Sequence, residues 1–172
     1  MKKSPVKRLT RIAILVAVLC VGAQLSIPTI FLVPITIQAM LVSIVGYLLP
    51  TRDSLYCVIA YLLVGAVGIP VFANFHGGLE TLLGYTGGFI FGFIPLALLC
   101  SLGKGWVKAL LGMVGVVLCH LMGIIQYSFV ASIPFFIAFL TMSLPYIFKD
   151  FLLVILAFLF AKIVEKKLKR QE

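Results

Sequence analysis

Charge is scarce in this sequence, and acid scarcer still: of 172 residues only five are Asp or Glu, and charged residues together make up 11%. A soluble domain carries roughly 25%, so the chain is not built to be surrounded by water. Histidine occurs only twice, as His76 and His120, and the four cysteines, Cys20, Cys57, Cys100 and Cys119, stand singly in apolar segments. With no C-x-x-C pair and no histidine at ligand spacing, they read as small apolar filling and not as a metal site. Cys119 and His120 are adjacent, but consecutive helical residues point about 100° apart and do not converge on one ion. A phosphate-cradling G-x-x-x-x-G-K-[ST] loop is missing as well. The one Gly-Lys pair, Gly103-Lys104, has Leu98 where the first glycine is needed and Gly105 where the hydroxyl is needed. No nucleotide site is expected in this chain.

Apolar surface is what the sequence has in abundance. Hydrophobic residues make up 63% of it, and the mean hydropathy is +1.23. An all-α membrane protein follows. A hydrocarbon core of about 30 Å takes about 20 apolar residues per helix, so the length allows about six transmembrane helices. We expect a single transmembrane domain over residues 1–172, with spans near 12–25, 34–49, 54–68, 86–102, 106–129 and 146–164. The net charge of +9 raises nucleic acid as a partner, but its distribution argues otherwise. Lys2, Lys3, Lys7, Arg8 and Arg11 precede the first span, and Lys162, Lys166, Lys167, Lys169 and Arg170 cluster at the end of the last. Both clusters follow the positive-inside rule, which puts both termini in the cytoplasm and asks only for the lipid bilayer as partner, not nucleic acid. The N-terminus has the basic-then-apolar order of a signal peptide, and Leu19-Cys20 has the outline of a lipoprotein cleavage site. Val18 and Leu19 are too large for that signal, so retention of the first span is expected.

Within the spans, small and polar residues carry the information. Ala13, Ala17 and Cys20 lie within about 60° of one another on a helical wheel, a small-residue stripe that admits close approach by a helix of this chain or of another subunit. Gly112, Gly115, Cys119 and Gly123 share one face of the fifth span and predict tight packing there. Pro34 suits the first turn of the second span. Thr36 and Gln38, just beyond it, have polar groups that either cap and bond between helices or face a cavity. His120 is an intramembrane ionisable group and so a functional candidate; with no acid near it in the sequence, it reads as a neutral histidine bonded to a neighbour.

The stretch from Gly65 to Phe93, GAVGIPVFANFHGGLETLLGYTGGFIFGF, is the exception in an otherwise apolar chain. Gly reaches backbone angles that other residues avoid, and Pro removes an N–H. At membrane depth such backbone survives only where it is buried in protein or lines a cavity, so we read this stretch as the wall of a small-molecule site among irregular outer loops. Asn74, His76, Glu80, Lys149 and Asp150 fall at the same outer level. Charge at the hydrocarbon edge is costly unless paired. Asp150 is expected to point inward and accept ligand N–H bonds, while Lys149 snorkels or meets a ligand carboxylate. The alternative is an ion pair with no ligand.

Four ordered motifs resemble the BioY family: Val33-Pro34-Ile35-Thr36-Ile37-Gln38; Gly65-xx-Gly68-x-Pro70-Val71-Phe72-Ala73 with Gly77-Gly78; Thr86-Gly87-Gly88-Phe89-xx-Gly92-Phe93; and Pro145 followed by Asp150. The resemblance implies a six-helix, multi-pass protein of the bacterial plasma membrane. Its role would be the biotin-binding S component of an energy-coupling-factor transporter. Biotin captured near the outer surface would be delivered by docking onto a transmembrane coupling protein with two ATPase subunits. The lack of a phosphate loop agrees with borrowed ATPases. By the resemblance, Ala13 and Ala17 would contact the coupling protein, and Asn74 and Asp150 would hold the ureido ring, with Thr36, Gln38, Tyr85, Gly87 and Lys149 also in the substrate site. A cyclic urea offers N–H donors to a carboxylate and a carbonyl to an amide. The family pattern Gly-Pro-Thr-Gly-Gly-Tyr is replaced here by Gly84-Tyr85-Thr86-Gly87-Gly88-Phe89, so Tyr85 or Phe89 would pack on the ring or thioether. The family's lysine three residues after the aspartate is Leu153 here, which leaves Lys149 to act from a different face. Two other readings are an S component for another vitamin and an intramembrane enzyme built on Glu80, His76 and His120. Against the enzyme, the two histidines fall at different depths with no nucleophile beside either.

Overall fold

In the computed structural model, residues 5–27 and 34–168 are described. Lys2, Lys3, Val33, Lys169 and Arg170, on which parts of the expectations above rest, lie outside the described residues. A chain this apolar has more hydrophobic side chain than one core can bury, and its helices are apolar on both faces. The helix α6 (Trp106–Ala131) shows the division. Its small residues Gly112, Gly115, Cys119 and Gly123 turn inward, while Leu110, Val114, Val117, Leu121 and Ile125 are exposed. An exposed stripe of this kind suits lipid and not water. At 26 residues α6 is about 39 Å long. Among the described residues it is the one helix whose length and composition by themselves suffice to cross a membrane.

The helix α5 (Gly87–Ser101) lies along α6. Their closeness depends on missing side chains. A Cβ on Gly92 would stand 2.6 Å from the Cα of Cys119, one on Gly88 would reach the carbonyl of Met122, and one on Gly115 would meet the backbone of Leu96. Around this pair stand α1 (Pro5–Gly22), α2 (Gln38–Leu48), α3 (Thr51–Ala66) and α8 (Leu144–Leu168), with α2 contacting both α5 and α8, and α1 resting mainly on α3. Val42, Tyr47, Cys57, Val58, Leu96, Cys100 and Val154 form the dry centre of the bundle. The connection around Pro134 is helical too, as α7 (Phe135–Met142).

Helix boundaries depart from the expected spans where local pairing competes with helix. Pro34 is not in a first helical turn, because α2 begins at Gln38. Before it, β2 (Ile35–Thr36) pairs antiparallel with β1 (Ser26–Ile27), Ser26 opposite Thr36, and this ribbon satisfies backbone that a helix would otherwise have to. At the other end of the bundle α1 starts at Pro5, so Lys7, Arg8 and Arg11 ride on the helix. Arg8 Nε donates to Asp53 Oδ1 at 2.7 Å. That hydrogen bond and the carboxylate's charge raise the pKa of the guanidinium. Between α3 and α5 the glycine-rich stretch forms a tight loop closed by Phe72 N–H donating to His76 O at 2.9 Å, followed by the short α4 (Gly78–Leu83).

Candidate functional site

The loop after α3 is shaped by residues that accept unusual backbone angles. Gly68 and Gly78 have φ of +100° and +86°, and Asn74 sits in the left-handed region at φ 57°, ψ 33°, which Asn tolerates better than most residues. Folded this way, the loop encloses one side of a cavity of about 460 Å³. Ala73, Asn74, His76 and Glu80 line that side, with Tyr85 and Phe89 above it. Thr36 and Gln38 also line the cavity, and Cys119, His120, Lys149 and Asp150 project from α6 and α8.

Asp150 is the centre of the site's electrostatics. Its residue is 9% exposed, and a buried carboxylate has to be neutralised and bonded to persist. Oδ2 lies 3.1 Å from His120 Nε2, and His120 Nδ1 lies 2.9 Å from Ser143 Oγ. Lys149 Nζ stands 2.7 Å from Oδ1 as an ion pair and donates to Thr36 O at 2.9 Å. The ammonium is not aligned for a hydrogen bond to Oδ1, which has no hydrogen-bonded partner among the described residues. One carboxylate oxygen is thus hydrogen-bonded to His120, and the other is met by the Lys149 ammonium through charge alone.

Asn74, also on the cavity wall, is held by the ribbon. Ser26 Oγ donates to Asn74 Oδ1 at 2.7 Å and accepts from Asn74 N–H at 3.1 Å. With Oδ1 engaged, the amide N–H groups of the side chain are left without a described partner. Gln24 fastens the same loop, its amide lying 3.2 Å from the carbonyls of Pro70 and Phe72 and its oxygen accepting from Phe75 N–H at 3.0 Å.

Of the residues read from the sequence as substrate-binding, Thr36, Gln38, Asn74, Tyr85, Lys149 and Asp150 come together on the cavity wall. Gln38 does so while donating its amide to Tyr61 OH at 2.9 Å, and Tyr61 passes the chain on to Val71 O. Tyr85 packs against Tyr127 with ring centroids 5.8 Å apart. Gly87 does not line the cavity. It is buried behind the wall, where a Cβ would collide with Leu82 O and the amide of Gln126, so its role is to let α5 start against the end of α4. Ala13 and Ala17 lie away from the site, exposed on α1. The expectation that His120 has no acid beside it is overturned. Asp150 is its partner, brought there by packing of α8 on α6 across 30 residues of sequence. His76 and His120, read as lying at different depths, both face the cavity. Ser26, Gln24 and Ser143 were not found by reading the sequence. Small hydroxyls and amides near helix ends are too common to single out, and only the fold joins them to the site.

A family model described as the BioY family matches residues 1–170. The chain belongs to the BioY family. It is similar to a probable biotin transporter BioY of Pyrococcus horikoshii, with 35% identity over 144 residues, covering 84% of this chain and 87% of that protein. It is 31% identical over 166 residues to the biotin transporter BioY2 of Lactococcus lactis, covering 93% and 91% respectively. Among solved structures, the S-component for biotin from an ECF-type ABC transporter superposes with a TM-score of 0.88 at 25% identity. That match covers 96% of this chain and 94% of the other. The chain thus shares the family's sequence pattern and the overall fold of that solved S-component.

Proposed function

We propose that this chain is the biotin-binding S component of an ECF-type transporter, a multi-pass protein of the plasma membrane that binds and hands on its solute without chemically changing it. The reading takes the helices near the six expected spans as membrane-crossing, with both termini in the cytoplasm and the cavity at the outer face. Its carrying observation is the buried Oδ1 of Asp150, an anionic acceptor with no hydrogen-bonded partner among the described residues, in the wall of a cavity of about 460 Å³ whose lining is mostly apolar. A ureido N–H supplies the donor that this oxygen lacks. The Asn74 amide, turned by Ser26, donates to the ureido carbonyl. Tyr85 and Phe89 offer aromatic surface to the bicyclic ring, and Thr36 and Gln38 complete the polar part of the wall. When a ligand N–H replaces the ammonium at Oδ1, Lys149 becomes the cation for the ligand's carboxylate.

Calorimetry of the detergent-solubilised chain against a vitamin panel tests this. Biotin alone should bind, with one site per chain; retention of thiamine or riboflavin with no heat from biotin would contradict the reading. Delivery rests on Ala13 and Ala17, whose small exposed side chains on α1 suit close docking of a helix from the coupling protein, which in turn carries two ATPase subunits. Ala17→Leu should leave biotin affinity intact and prevent co-purification with the coupling protein. Survival of that complex would remove the interface assignment.

A further inference from the structure

We infer that His120 is the positioning residue of the site: acting through Asp150, it decides which carboxylate oxygen is offered to the ligand. The inference rests on the reading of Asp150 as the ligand's acceptor. A carboxylate has two equivalent oxygens and turns about its terminal torsion with little resistance. Here the equivalence is broken. Oδ2 is taken by His120 Nε2 at 3.1 Å, while Oδ1 faces Lys149 without a hydrogen bond. The imidazole is itself immobilised. It is 4% exposed, Ser143 Oγ holds Nδ1 at 2.9 Å, and Phe89 meets the ring edge-on, with centroids 5.5 Å apart at 90°.

The protons follow from the donors and acceptors. Asp150, paired with the Lys149 ammonium, accepts at Oδ2, so Nε2 carries the proton. Nδ1 shares the second hydrogen bond with the Ser143 hydroxyl, so both ring nitrogens are engaged. The chain Ser143–His120–Asp150 therefore crosses from the α7–α8 junction to α6 and back to α8. It orders the acceptor before the ligand arrives, so that ordering is not subtracted from the binding energy.

The test is biotin affinity, by calorimetry of the full chain in detergent, for His120→Leu, His120→Gln, Asp150→Asn and the double variant His120→Leu/Asp150→Asn. Thermal melting is recorded alongside. His120→Leu should weaken binding about tenfold. His120→Gln, whose amide can still donate to Oδ2, should recover most of that loss. The double variant should bind no more weakly than Asp150→Asn alone, because His120 acts only through that carboxylate. Losses that multiply in the double variant, or an unchanged His120→Leu beside a weakened Asp150→Asn, would overturn the inference while leaving Asp150 as the ligand's acceptor. An unchanged Asp150→Asn would instead remove the ligand reading of Asp150 and the inference with it. Nitrogen-15 spectra of the unmutated protein check the same point without any substitution. A proton on Nε2 is expected, its resonance moving when biotin is added, and a ring protonated on Nδ1 alone would contradict it.

Discussion

The α5–α6 seam and the loop at the cavity rim are both rich in glycine, for physical reasons that only partly overlap. At the seam Gly88, Gly92 and Gly115 lie inside helices, and a side chain at any of them would enter the neighbouring backbone. At the rim Gly68 and Gly78 have open space around the missing Cβ but positive φ, so conformation and not volume demands glycine. The seam therefore rejects added size, and the loop at Gly68 and Gly78 rejects an ordinary backbone, while a side chain at Gly77 on the cavity wall is excluded by volume too, since its Cβ would collide with Ile69 O. A frame packed this closely can hold Cys119, His120 and Asp150 at fixed positions, while the rim supplies shape and polar groups that helices alone do not present.

Four substitutions sharpen or break that contrast. Gly92→Val places atoms into Cys119 and should destabilise the protein by about 3 kcal/mol, read as a lower melting temperature in detergent. A variant that melts like the parent would mean the seam can relax. Asp150→Asn should act on the ligand instead, weakening biotin binding by about 1.5–3 kcal/mol, seen in calorimetry, with melting little changed. Gly68→Ala meets no neighbour, yet should cost about 1–2 kcal/mol of stability from the left-handed backbone alone. An unchanged melting curve would show that the rim relaxes its backbone. Ser26→Ala frees the Asn74 amide to turn over and should weaken biotin by about 1 kcal/mol without affecting the seam; equal affinity would mean that Asn74 is oriented by something else.

The same contrast explains what could be read from the sequence. Proline and glycine set in a continuous apolar background marked residues 65–93 as an irregular cavity wall. Much of that wall is present, but residues 65–66, 78–83 and 87–93 are helical and the irregular backbone is confined to the loops between them. The face shared by Gly112, Gly115, Cys119 and Gly123 was legible from helical spacing alone. The ribbon of Ser26–Ile27 and Ile35–Thr36 was not, because two-residue strands are too short to show an alternating pattern, and Pro34 was equally at home in a helix start. Nor was the His120–Asp150 contact, since neither residue carries a local sign of the other 30 positions away. The lining status of Gly87 was misjudged because a glycine required for packing and a glycine required for ligand approach look alike in sequence.

The central claim is that the rim and the frame together enclose biotin between Asn74 and Asp150, and a crystal structure of this chain with biotin bound tests it most directly. The account predicts a ureido nitrogen within hydrogen-bonding distance of Asp150 Oδ1, the ureido oxygen at the Asn74 amide, and Oδ2 still on His120. Biotin bound elsewhere, or Asp150 contacted only by Lys149 and His120, would contradict it.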